Sequence, residues 1–160
     1  MSKLALAVAE LQRSERRLAH NLRTIAARHH SDHDISHLAC DLAGWSDEHV
    51  AALSDHRPRR VLRLSARPLR FGLSGRLQEQ LSDLLRHRPE PSLLLLADLR
   101  RVHRTAAGVS LDWELLAQAA QASKDGELLA ITSRCHPQTL RQMRWANALL
   151  KELSPQALAN

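Results

Sequence analysis

A chain of 160 residues is the size of one ordinary domain and long enough to bury a real core. Leu and Ala dominate, the aromatics are only Phe71, Trp45, Trp113 and Trp145, and Gly and Pro are sparse, which argues against a sheet protein and for an all-α fold. The net charge of +6 is local: seven Arg and no acid fall between His56 and Gln78, and the remainder holds 16 basic against 17 acidic residues, so a uniformly basic nucleic-acid coat is excluded.

The first helix is predicted over residues 2–28, with Ser2 as its N-cap. Leu4, Val8, Leu11, Glu15, Leu18, Leu22 and Ile25 recur at spacings of four and three, so a carboxylate shares the apolar face. An unpaired carboxylate taken out of water costs several kcal/mol, so Glu15 requires a cation, a set of donors or a metal. His29-His30-Ser31-Asp32 makes a tight connection, and Asp32 caps a second helix that continues to about Ser54. Its seam is Ile35, Leu38, Leu42, Trp45, His49 and Ala52, with an imidazole as the intruder, and Gly44 is read as admitting a close neighbour. At ~1.5 Å per residue these helices are ~35–40 Å long, matched for an antiparallel hairpin. Counted from the turn, Glu15 and His49 lie at similar height, which makes them candidate partners.

Residues 55–91 read as a crossover. His56 to Phe71 contains Pro58 and Pro68 and shows no clear period, and Ser74 caps a short helix through Leu77, Leu81, Leu84 and Leu85. Pro89-Glu90-Pro91 ends it and launches a third long helix, whose seam is Leu95, Leu99, Val102, Ala106, Val109, Trp113, Leu116 and Ala120. The fourth helix begins near Ser123 or Lys124 and carries Leu128, Ile131 and Cys135. Pro137 is expected to kink or break it near His136. It resumes through Leu140, Met143, Ala146, Leu149 and Leu153, and Ser154-Pro155 closes it. The sum is a single domain over residues 1–160, an antiparallel four-helix bundle with one long crossover that holds a short extra helix.

In helix order, crossover and inward acid, the chain resembles the ferritin-like superfamily, particularly the small stress-associated bacterial proteins with that fold. The resemblance implies a di-metal site built from a Glu on the first helix, Glu-x-x-His on the second, Glu on the third and Glu-x-x-His on the fourth, with iron or another divalent transition metal as cofactor. Glu15 matches the first position, and Asp112 and Glu114 flank the seam on the third helix. Both Glu-x-x-His motifs are absent: Glu48 and His49 are direct neighbours, about 100° apart around the helix, and Ser133 stands three residues before His136. The ligand set that survives is Glu15, Glu48, His49, Glu114 and His136. Two readings stay open, a degenerate metal site and a metal-free core in which Glu15 and His49 pair. A hemerythrin-like reading begins from His37-x-x-x-Asp41 but finds no His-x-x-x-His on the third helix.

Two further constellations carry chemistry. His30, His33, His37 and Cys40 fall on one helical stripe, a donor set that Zn²⁺ accepts, set against solvated histidines and a small core thiol. Arg57, Arg59, Arg60, Arg63, Arg67, Arg70 and Arg76 are placed to contact the phosphates of nucleic acid or an acidic protein, with only Phe71 available for base stacking. Each Trp falls on a different helix and fits core packing or a subunit interface, so a homo-oligomer is a further expectation. Two isolated cysteines, no secretory h-region and no apolar run of about 20 residues set the expected compartment as the cytoplasm, without a membrane partner. No phosphate-binding Gly-rich loop and no nucleophile–base dyad is evident from spacing, so the expectation leans away from an enzyme. The competing function is a non-enzymatic interaction module.

Overall fold

The computed structural model describes residues 3–56 and 90–159. Four helices hold nearly all of them: α1 (Lys3–Arg28), α2 (His33–Asp55), α3 (Pro91–Ala122) and α4 (Gly126–Ala159). The short helix expected at residues 74–85, the Ser2 cap and the seven Arg of the 57–76 segment lie outside the described residues.

The helix ends follow from local chemistry. Asp32 is extended and its carboxylate accepts from the Ile35 amide at 3.1 Å, so α2 starts at His33 and His30 stays in the turn. The α3–α4 connection closes with the Asp125 amide donating to the Ala120 carbonyl at 2.9 Å and the Lys124 amide to that of Gln121 at 3.1 Å. This pairing needs a left-handed residue, and Lys124 supplies it at φ 56°, where glycine is the usual occupant. Asp125 then caps α4 by accepting from the Leu128 amide at 3.0 Å.

Cross-helix hydrogen bonds give the topology. Gln12 reaches Ser54, and Asn21 on α1 donates to Thr105 on α3 at 3.0 Å while Arg28 meets Asp98, so α1 runs antiparallel to both α2 and α3. His49 pairs with Gln138 and His56 with Asp125, so α4 runs antiparallel to α2. Ser110 meets His136 and His103 meets the Met143 carbonyl, so α4 is antiparallel to α3 as well. The consequence is that α2 and α3, consecutive in the chain, point the same way. Each end of the bundle has its own ionic tie. At one end the Asp98 carboxylate, 3 % exposed, accepts from Arg28 at 3.0 Å and His29 at 3.2 Å; at the other, His56 bridges to Asp125 at 3.0 Å.

The core is aliphatic around Leu11, Leu18, Leu22, Ile25, Leu42, Leu53, Leu99, Val102, Val109, Leu116 and Leu128. The seams of α1 and α3 match expectation. That of α2 is rotated: Leu38 is 42 % exposed, while Ala39, Ala43 and Ser46 are buried. Small side chains occupy the contact, and a pattern that scores only bulk misses them. Among the described residues a Cβ built at Gly44 meets nothing within 4 Å, so none of them makes the close approach expected there. In α4 the helix continues unbroken through Pro137 and on past Pro155 to Ala159. Pro137 is exposed, so the carbonyl it leaves without an amide lies on the solvent side, where water satisfies it. Because the helix does not break, its fully buried line passes through Cys135, Thr139, Gln142 and Ala146, while Met143, Leu149 and Leu153 of the expected seam pack against the core partly buried. Among the described residues no helix is long and apolar enough to cross a membrane.

Candidate functional site

Glu15 sits at 0 % exposure in the middle of the bundle, and each of the other three helices supplies a donor to it. His49 Nδ1 on α2 lies 2.8 Å from Glu15 Oε1, Trp113 Nε1 on α3 donates to the same oxygen at 2.8 Å, and the Thr139 hydroxyl on α4 donates more weakly at 3.4 Å. The other imidazole nitrogen of His49 lies 2.8 Å from the Gln138 side-chain oxygen. Both ring nitrogens thus face a polar side chain. The pair is fully desolvated, with Trp113 standing edge-on to the His49 ring at a centroid distance of 5.6 Å. One turn further along α4, Gln142 Nε2 donates to the Leu42 carbonyl at 2.7 Å and to Ser46 Oγ at 3.0 Å. Among the described residues, Glu15 Oε2 and Gln142 Oε1 are buried acceptors without a donor.

Of the five residues implied as metal ligands, Glu15 and His49 are brought together and the other three are not. Glu48 is exposed on the next step of α2. His136 and Glu114 form a separate surface group: His136 Nε2 is 2.8 Å from Ser110 Oγ and 3.9 Å from Glu114 Oε1. A hydroxyl, an imidazole and a carboxylate in line make a relay only when the acid holds the other ring nitrogen. Here both neighbours approach the same one. Among the described residues no three His, Cys, Asp or Glu side chains are placed to hold a metal ion. The donor set therefore does not fit the di-metal group that the resemblance implies. Glu15 Oε1 already has three polar groups against it, and both nitrogens of His49 already lie 2.8 Å from other side chains.

Asp112, on α3 beside this core, feels its surroundings. Burial, reinforced by the nearby negative charges of Glu10 and Glu15, pushes its carboxyl above the ordinary aspartate range against the pull of the Ser14 hydroxyl. A folded-state value above the unfolded one means the folded chain binds the proton more readily, so stability is lost as pH rises through that interval. Asp112→Asn is accordingly expected to raise the melting temperature at about pH 7, and the gain should vanish on acidification below the ordinary aspartate value. A variant no more stable than wild type at neutral pH would contradict this. Cys135 is 2 % exposed, and burial pushes its thiol up, with Glu15 and Glu48 adding to the effect and Arg134 opposing it. Cys40 is exposed. One thiol per chain should react promptly with Ellman's reagent in the folded protein, and the second only on unfolding.

Sequence reasoning found the Glu15–His49 pair through matching height but missed the groups that complete it. Trp113 was assigned to packing, although a buried indole N–H on a seam beside a carboxylate is a signal for a donor. Gln138, Thr139 and Gln142 were hidden by the expected break at Pro137. Compared with known proteins, the chain matches no family model, no curated protein and no solved structure.

Proposed function

We propose that the chain is a ferritin-like bundle in which the di-metal position has become a metal-free polar lock, and that it works as a non-enzymatic interaction module. The observation that carries this reading is the single oxygen of Glu15 held by donors from three other helices. Such a group fixes helix register, because sliding any helix by one turn strands a buried polar group. The parallel course of α2 and α3 agrees with a bundle that has one long crossover. With the core committed to structure, binding falls to the chain's excess positive charge, which is concentrated in the segment with Arg57, Arg59, Arg60, Arg63, Arg67, Arg70 and Arg76. Phosphates of nucleic acid, or an acidic protein surface, are the complementary partners.

Two measurements test it. Protein purified from defined medium should hold well below one equivalent of transition metal per chain by elemental analysis. Gel retardation of nucleic acid should appear at low salt, weaken steeply as salt rises, and be lost when the crossover Arg are neutralised. No retardation even at low salt rules out nucleic acid. A second reading, a degenerate metal site, draws on the buried Glu15 Oε2 that lacks a donor among the described residues. A full equivalent of metal, lost in Glu15→Ala, would establish that reading in place of the first.

A further inference from the structure

We infer that His33 and His37 form a surface chelate for a borderline divalent cation of the Zn²⁺, Ni²⁺ or Cu²⁺ class. This site is separate from the Glu15 core and lies on the first two turns of α2. Both side chains are exposed, and among the described residues neither ring has a hydrogen-bond or ion-pair partner. Their rings stack with centroids 6.1 Å apart and planes 23° from parallel.

The backbone beneath them is held in place. Asp32 caps the helix at the Ile35 amide, the Ser36 hydroxyl donates to the Ala26 carbonyl at 3.0 Å, and Ile35 is buried against the core. The pair is thus presented on a fixed turn.

Helical side chains lean toward the helix N-terminus, so His37 leans back over His33. Two imidazoles at this i, i+4 spacing are the arrangement by which a helical His-x-x-x-His holds zinc. A metal–nitrogen bond of ~2.0–2.1 Å places the ion about 3.2 Å from each ring centre, so a tetrahedral angle calls for centroids roughly 5 Å apart. The observed separation exceeds that by about 1 Å, and each ring must also turn about χ1 and χ2 to aim one in-plane nitrogen lone pair at the ion, a freedom that exposed side chains keep. Cys40 and Asp41 follow His37 by three and four residues and are exposed, but among the described residues no third His, Cys, Asp or Glu is placed to complete the pair. His30 does not take part as a helical ligand, because the Asp32 cap leaves it in the turn with Nδ1 3.2 Å from the Ala27 carbonyl. Two imidazoles with water in the remaining positions make a chelate of modest affinity, suited to cation loading and release rather than permanent retention.

The test is titration of the full chain with Zn²⁺ and with Ni²⁺, followed by calorimetry and by histidine ring resonances. Saturable binding at one ion per chain is expected, with the His33 and His37 signals moving first. His33→Ala and His37→Ala should each weaken binding by about tenfold or more. Both residues are exposed, so the variants should keep the wild-type melting temperature, which shows that any loss is not unfolding. Binding should persist in Cys40→Ser. No saturable binding up to about 1 mM ion overturns the chelate. So does undiminished binding in the double His variant, or complete loss in Cys40→Ser.

Discussion

Glu15→Ala is expected to lower the free energy of unfolding by about 3–5 kcal/mol, the range for removing one partner from a buried, hydrogen-bonded carboxyl–imidazole pair. The loss has two sources. His49 is left 1 % exposed without its partner, and the Trp113 N–H and Thr139 hydroxyl lose their acceptor in the same cavity. Urea unfolding measures it, and a cost below about 1 kcal/mol would show that the carboxylate is not a lock. The double variant Glu15→Leu/His49→Leu sharpens the test. Replacing both polar side chains with aliphatic ones removes the stranded partner, so the pair should cost less than the sum of the single changes. A strictly additive result would mean that the 2.8 Å contact between them contributes nothing in solution.

Trp113→Ala is expected to be comparably severe, about 3–5 kcal/mol, because the largest side chain in the core is removed from a site with 0 % exposure. Trp113→Phe separates volume from hydrogen bonding: much of the ring is retained, while the donor to Glu15 is lost. Its cost should be about 1–3 kcal/mol, the range for a buried carboxylate deprived of one donor. If Trp113→Phe is as damaging as Trp113→Ala, packing around the smaller ring has failed. If it costs nothing, the 2.8 Å indole contact does not stabilise the fold.

The contrast between what was legible in the sequence and what was not follows from how each feature is encoded. Periodicity encodes a helix that buries large aliphatics on one face, so α1 and α3 were readable almost residue by residue. Asp32 and Pro91 encode helix starts through backbone chemistry, and both α2 and α3 begin where those residues place them. The α2 contact is made by Ala39, Ala43 and Ser46, whose small side chains are equally at home on a surface, so the rotation of that helix about its axis was not readable. Pro137 misled for a different reason. Its cost in a helix depends on whether the freed carbonyl faces water, a tertiary fact that the local sequence does not carry. Once α4 runs straight, Thr139 and Gln142 turn inward, and the polar core acquires its fourth helix. Glu15 and His49 were legible as a pair because a single hairpin fixes their heights. Trp113 reaches the same oxygen from 98 residues away, a separation no local pattern reports.

Those separations govern the order in which the molecule can assemble. Glu15 and His49 are 34 residues apart, whereas Thr139 meets Glu15 across 124 residues and Gln142 meets the Leu42 carbonyl across 100. Contacts that distant in the chain form late, after loop-closure entropy has been overcome. During synthesis the first hairpin emerges with a polar pair at the centre of its leucine face, a feature that disfavours self-association through that face until the second hairpin covers it. Contacts that form after the transition state act mainly on the rate of unfolding. The residues that make the native state lasting are then different from those that make it quick to form.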